Sequence, residues 1–281
     1  MQAVSSHGIG ASEIAAACGI SRYRSRYALW LQKTGRAPAF AGNVATRLGL
    51  LLEPRARQLY ADATGFAVWT PPASMFHPSI PWARATPDGM IEPRATSRHL
   101  VQIKCVGYFV GRRMRYEIPI EYEAQVQWEM FVADADRVDL AVLVGSDDLA
   151  WERLVLGEID DPRSIFDRAT LDVHTIYRSD ASIAALLDGA RDFMSLVDSD
   201  TQPPVDGSGD TTDALNDRIR SARPTLALPV DDAHQEVGDL RAAAIAHRAS
   251  LDRFAAAKNR NSLTSPTTTA NGSSPTVIRF I

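Results

Sequence analysis

The sequence predicts an α/β (α+β) domain, a mixed central β-sheet flanked by helices, with a helical extension at its C-terminal end. Three observations lead there. Helical periodicity dominates residues 12–64, short strands punctuated by Pro and Gly fill 66–105, and helical patterns return around further strands up to residue 197. Helices before and after one run of strands pack as layers on a common sheet. With 281 residues, 45% hydrophobic and 23% charged, the chain can form one large domain plus an appendage.

In order, Ser12 reads as the N-cap of a short helix, with Glu13 in its first turn and Gly19 past its end. Residues 26–34 form a second helix closed by Gly35. Residues 42–64 form a longer one, with Leu48, Leu51, Leu52, Leu59 and Tyr60 at helical spacing and Gly65 as its stop. Strands are expected at 66–70, 74–77, 82–85, 90–92 and 100–105. The segment 108–118 holds Arg112, Arg113 and Arg115, and 120–132 is helical, with Tyr122, Gln125 and Glu129 near one face. Residues 137–144 and 151–156 read as a hairpin around Gly145-Ser146-Asp147-Asp148, 172–177 as a strand and 181–197 as a helix.

Around 202–210 the composition shifts to Pro, Gly, Ser and Asp. This divides the chain into a main domain (1–200), an irregular linker (201–230) and a C-terminal extension (231–281). The extension holds an amphipathic helix over 232–258, with Val237, Leu240, Ala244 and Leu251 as its stripe, and one strand of a small terminal hairpin at 277–281.

The two cysteines, Cys18 and Cys105, form neither a disulfide framework nor a metal-ligand pair, so a reducing cytoplasm is expected. The N-terminus lacks a signal-peptide pattern, and no run approaches the ~20 apolar residues of a membrane span. Net charge is -4, but residues 1–145 carry +4 and the remainder -8. The basic half suits a protein that grips phosphates.

That half also holds Thr86-Pro87-Asp88-Gly89, followed by Gln102-Ile103-Lys104. Phosphodiester hydrolysis needs an activated water and neutralised charge on the leaving oxygen, which Mg²⁺ supplies through hard oxygen ligands. Asp88 offers a carboxylate at a turn. Position 102 offers a second oxygen, and the backbone after it, at Ile103, a third. Lys104 lies on the same strand face as residue 102 because side chains alternate, and can orient or deprotonate the water. Glu53, from the preceding helix, could complete a second metal position. Alone these pieces are common: Pro-Asp-Gly is an ordinary turn, Glu53 between Arg55 and Arg57 reads as a solvated surface charge, the arginines at 112–115 as a solvated face, and Tyr122, Gln125 and Glu129 as helix surface. His7, His77 and His99 lack ligand spacing, Cys105 reads as a small buried hydrophobe, Trp69, Trp82 and Trp128 as core, and the dispersed tryptophans form no base-stacking platform.

The order of motifs is more specific. Gly8-Ile9-Gly10-Ala11-Ser12-Glu13-Ile14, Tyr27-Ala28-Leu29-Trp30-Leu31-Gln32-Lys33-Thr34-Gly35, Leu52-Glu53-Pro54, Ala85-Thr86-Pro87-Asp88-Gly89, Gln102-Ile103-Lys104-Cys105 and Tyr122-Glu123-Ala124-Gln125-Val126-Gln127 follow one another. Over about residues 8–200 this resembles the lambda-exonuclease/YqaJ-type viral recombinases, a branch of the PD-(D/E)xK nucleases. The resemblance implies a phage- or prophage-derived, Mg²⁺-dependent exonuclease, with Mn²⁺ as substitute. It would act on ends of linear double-stranded DNA, 5′ to 3′, leaving 3′ single strands for an annealing protein, and would assemble as a homo-oligomer, a trimer. It places Asp88, Gln102, Ile103 and Glu53 at the metal, Lys104 at the water and Gln125 beside the site. Ser12, Thr86 and Arg112 or Arg113 fall at the DNA and its 5′ phosphate, a helix N-terminus being suited to an anion. The family's Arg upstream of the Ser motif has no counterpart; His7 is nearest.

Gln102 departs from the family's Glu. It is nearly isosteric but neutral, so the fold should survive while metal binding weakens. Two readings stay open: a Glu→Gln replacement that disables the site, favoured slightly by the otherwise intact constellation, or a natural amide ligand. Beside the exonuclease stand a DNA-end binding module that no longer cleaves, and an endonuclease of the same fold.

Overall fold

A computed structural model describes residues 8–37, 44–91, 98–145, 169–206, 209–211 and 276–279, with single positions 153, 158, 214, 249, 250 and 253. In chain order the elements are a 3₁₀ turn (Ala11–Glu13), α1 (Ile14–Ala17), α2 (Arg26–Lys33), α3 (Val44–Thr64), β1 (Val68–Trp69), β2 (Met75–His77), β3 (Ile80–Ala85), β4 (Gly89–Ile91), β5 (His99–Val106), α4 (Tyr108–Met114), α5 (Ile120–Ala133), β6 (Arg137–Val144), β7 (Thr170–Tyr177), α6 (Asp180–Asp198) and β8 (Thr276–Arg279). They fall into two compact units, Met1–Phe40 with Ser179–Ser265, and Ala41–Arg178 with Pro266–Ile281.

In the first unit α1 and α2 pack against α6. Gly189 of α6 allows the approach, since a Cβ there would meet Cys18 Sγ at 2.8 Å. Burial pushes the Cys18 thiol up to about 12, which leaves it an inert core group. The helix start differs from expectation. The cap is Gly10, not Ser12: the Gly10 N–H donates to Glu13 Oε2 at 2.8 Å, and Ser12 is exposed. Glu13 is held for this by Lys33, whose buried ammonium donates to Glu13 Oε2 at 2.8 Å and to the Gly8 carbonyl at 2.6 Å. The second helix runs as expected, with Ser25 Oγ accepting from the Ala28 N–H and Gly35 at φ 72° beyond its end.

The second unit is built on a six-stranded sheet of order β1-β4-β5-β6-β7-β8, beside a separate β2-β3 hairpin. Among the described strands only β5 and β6 pair in parallel; the other ladders are antiparallel. A parallel pair needs a crossover, which α4 and α5 provide. Alternation along the strands separates two faces. Val101, Ile103, Ala141 and Leu143 pack with Ala56, Leu59 and Tyr60 of α3, while Leu100 and Val138 pack with Val126, Met130 and Ala133 of α5. Asp139 pins the α3 face: it accepts from Tyr60 Oη at 2.5 Å and Thr175 Oγ1 at 2.7 Å, and meets His99 Nε2 at 3.0 Å. His99 is thus structural, as is His77, stacked on Phe131 at 4.3 Å.

Several expectations change. The partner of 137–144 is β7, not 151–156. With β5 on one edge and β7 on the other over its full length, β6 has no edge left for such a hairpin; most of 146–168 lies outside the described residues, and Arg153 is helical. The terminal strand, expected in a small hairpin, pairs instead with β7 of the main sheet as β8 among the described residues. Trp69 is 45% exposed, whereas Trp128 is buried and stacked with Trp82. The linker and the helix over 232–258 lie mainly outside the described residues.

Candidate active site

The site forms where β4 stops short of β5. Gly89 pairs with Val101 and the ladder ends there, so the next N–H of β5 on that edge lacks a strand partner. Asp88 takes it: Oδ2 accepts from the Ile103 N–H at 2.8 Å and from Gln102 Nε2 at 2.5 Å. The following glycine is required by space, because a Cβ at Gly89 would meet Val68 Cγ1 of β1 at 2.6 Å. The turn residue and β5 are thus locked in register by the groups that would do the chemistry.

Gln102 and Lys104 face the α5 side of the sheet. The Lys104 ammonium donates to Gln125 Oε1 at 2.9 Å and lies 5.0 Å from the Tyr122 ring centre. Gln125 Nε2 donates in turn to Glu129 Oε1 at 2.9 Å. Glu129 is fully buried, and its Oε2, like Gln102 Oε1, has no donor among the described residues. On the α3 side Glu53 pairs with Arg57; both are close enough to act electrostatically on Asp88.

Burial pushes the Asp88 carboxyl up to about 6, aided by Glu53 and opposed by Lys104, the Ile103 N–H and Arg57. Burial and the nearby Asp88 charge also raise Glu129, against Gln125 and Lys104. Two carboxyls disfavoured as anions around one lysine make a pocket short of positive charge, which suits a cation. The donor set is compatible with Mg²⁺. It comprises the Asp88 carboxylate, the bare Oε1 of Gln102, the Ile103 carbonyl and, once released by Arg57, Glu53. Among the described residues no three His, Cys, Asp or Glu side chains group as a metal cage, so a bound Mg²⁺ would keep several waters, as that ion usually does.

The structure therefore brings together Asp88, Gln102, Ile103, Lys104, Gln125 and Glu53. Thr86, exposed beside Asp88, shares a hydrogen bond with Ser74 at 2.7 Å. Arg112 and Arg113 are exposed on α4, Arg112 with its guanidinium 5.6 Å from the Tyr108 ring. Arg115 stands apart from that pair, because it holds the buried Asp172 at 2.5 Å. Ser12 belongs to the other unit. The residue that the sequence reading left on a surface is Glu129. A signal was there: Ala124, Val126, Trp128, Met130 and Val132 surround it in sequence, and a helix so apolar has little solvent face.

The same architecture occurs in a solved nuclease. The alkaline exonuclease LHK-Exo from Laribacter hongkongensis superposes with a TM-score of 0.51 at 20% identity, covering 77% of this chain and 95% of that one. Its complex with dAMP gives 0.50 at 20% identity, over 78% and 97%. This likeness is one of fold. In sequence, residues 2–136, just under half of the chain, match the YqaJ-like viral recombinase domain. The uncharacterized protein YqaJ of Bacillus subtilis (strain 168) is 27% identical over 151 residues, 52% of this chain and 46% of that protein, so the match spans just under half of that relative. No helix among the described residues is long and apolar enough to cross a membrane.

Proposed function

We propose that this chain is a divalent-metal-dependent deoxyribonuclease. Its substrate is the 5′ end of linear double-stranded DNA, its product a 3′ single strand passed to an annealing protein. The observation that carries the reading is the convergence of Asp88, Gln102 and Lys104 at the end of the β4–β5 ladder, with Gln125 on the lysine.

In this reading Asp88, Gln102 and the Ile103 carbonyl hold Mg²⁺ or Mn²⁺, and Glu53 serves a second position. Mg²⁺, when bound, supplies a more acidic water and neutralises charge on the phosphate. Lys104, as an ammonium, orients that water and offsets the charge of the transition state. Gln125 fixes the lysine head. Ser12, Thr86 and Arg112 or Arg113 hold the 5′ phosphate and the backbone behind it. A ring-shaped trimer around DNA, and a cytoplasmic site of action in a bacterial host, complete the proposal.

A non-cleaving DNA-end binding protein is the second reading, favoured by the Gln102–Asp88 hydrogen bond, in which an amide N–H faces the carboxylate where a cation is needed. The test is digestion of 5′-phosphorylated linear duplex and of closed circles, with Mg²⁺, by this chain, by Gln102→Glu and by Lys104→Ala. The proposal expects linear DNA alone to be degraded, and Lys104→Ala to lose about 10²-fold or more in rate. Degraded circles would make it an endonuclease. End binding without digestion by both this chain and Gln102→Glu would make it the binding module.

A further inference from the structure

Glu129 is buried without an obvious packing reason. It is fully buried (0% exposed), one helical turn beyond Gln125 on α5, and one of its oxygens is bare. A polar group left like that destabilises the fold, whereas an apolar side chain of similar size would not. Among the described residues it makes one side-chain hydrogen bond, accepting from Gln125 Nε2 at 2.9 Å.

That bond has a directional consequence. A glutamine amide has a donor end and an acceptor end of nearly the same shape, so its orientation is set by its partners. Lys104 can only donate, and Glu129 accepts through Oε1 whether or not its other oxygen carries a proton. Only one orientation serves both, with the amide oxygen on Lys104 and the amide nitrogen on Glu129, and it is the one observed. Reversed, the amide would set N–H groups against an ammonium. The Tyr122 ring on the other flank holds a cation but imposes no direction on its N–H bonds.

We propose that Glu129 is a positioning residue for Lys104, holding the Gln125 amide with its oxygen toward the ammonium. The inference rests on Lys104 being the working lysine of the proposed nuclease, but the hydrogen-bond chain can be tested without turnover.

The chain has three lysines, Lys33, Lys104 and Lys258. Labelling lysine with ¹⁵N therefore gives a simple side-chain spectrum, in which Lys104→Arg identifies the Lys104 signal. Two near-isosteric variants separate the roles: Glu129→Met removes the acceptor, and Glu129→Gln keeps an acceptor oxygen but loses the charge. The proposal expects a slowly exchanging Lys104 ammonium signal in the unaltered chain and in Glu129→Gln, lost in Glu129→Met. In whichever of the unaltered chain or its Gln102→Glu form digests DNA, Glu129→Met lowers kcat roughly ten- to a hundredfold, with KM for DNA within about twofold, while Glu129→Gln stays within about threefold. A Lys104 signal and kcat untouched by Glu129→Met would overturn the proposal. So would equal losses in both variants, which would assign Glu129 an electrostatic role, or weakened Mg²⁺ binding by calorimetry in Glu129→Gln, which would make it a ligand. If no form digests DNA and the Lys104 signal still responds as expected, the positioning stands and the nuclease reading falls.

Discussion

The side-chain amide of Gln102 donates to Asp88 Oδ2 at 2.5 Å, joining the β4 turn to β5 through the two groups best placed to hold a metal. The bond uses the nitrogen of the amide and leaves its oxygen buried and bare. Metal binding and this hydrogen bond are alternatives, since presenting Oε1 to a cation means turning the amide over. The metal-free site is thus stabilised by the feature that weakens it as a metal site.

Gln102→Glu should reverse that balance. Without metal it replaces a hydrogen bond by two facing carboxylates and destabilises the fold by about 1–2 kcal/mol. With Mg²⁺ in excess the variant gains more stability than the parent, as a ligand bound only by the folded state requires. Melting curves with and without Mg²⁺ check this; equal metal-free stability of the two chains would contradict it.

Asp88 predicts a pH dependence with a definite sign. Its pKa rises from 3.8 unfolded to about 6 folded. The folded state then keeps this proton to higher pH, so the contribution is favourable below about pH 4 and is lost as pH rises through about 6. Asp88→Asn should remove that decline, gaining up to about 2–3 kcal/mol at pH 7.5 and little at pH 4 in metal-free denaturant melts. A variant no more stable at pH 7.5 than its parent would refute the assignment.

The arginines around α4 should divide by role. Asp172 is 1% exposed in β7 and is held by Arg115. Arg115→Ala leaves a buried charge unpaired and should cost about 3–5 kcal/mol, whereas Arg112→Ala and Arg113→Ala leave the melting temperature unchanged. The last two should lower affinity for DNA ends and flatten its salt dependence, read by titration at two salt concentrations.

Gly111 marks the contact of α4 with β6. A Cβ there would meet Val144 Cγ1 at 2.3 Å and Cγ2 at 2.5 Å. Gly111→Ala should destabilise by about 1–3 kcal/mol, and Val144→Ala should relieve much of that in the double variant. Additive losses would show that the helix shifts away instead.

What could be read beforehand follows from range. The helices at 26–33, 120–133 and 180–198 show in local periodicity; Gly35, at φ 72°, stops the first, and Asp134, at φ 51°, ends the second. Strand partners are non-local. Nothing in 137–144 says that it pairs with 170–177, nor that 276–279 adds beyond it. The Asp88, Gln102, Lys104 and Gln125 set was legible because motif order fixes which strands and helix carry it. Glu129 showed only indirectly, through the apolar residues on every side of it, because a glutamate four residues beyond a glutamine on a helix otherwise reads as surface. The cap at Gly10 was not legible, since it depends on Lys33 holding Glu13 from another helix.

The central claim is that this site cleaves DNA with a metal held at Asp88 and position 102. The most direct measurement is nucleotide release from 5′-phosphorylated linear duplex across a Mg²⁺ titration, for the unaltered chain, Gln102→Glu and Asp88→Ala. The account predicts release that needs Mg²⁺, a lower Mg²⁺ requirement in Gln102→Glu and none of the activity in Asp88→Ala. Release that ignores Mg²⁺, or that survives in Asp88→Ala, would contradict it.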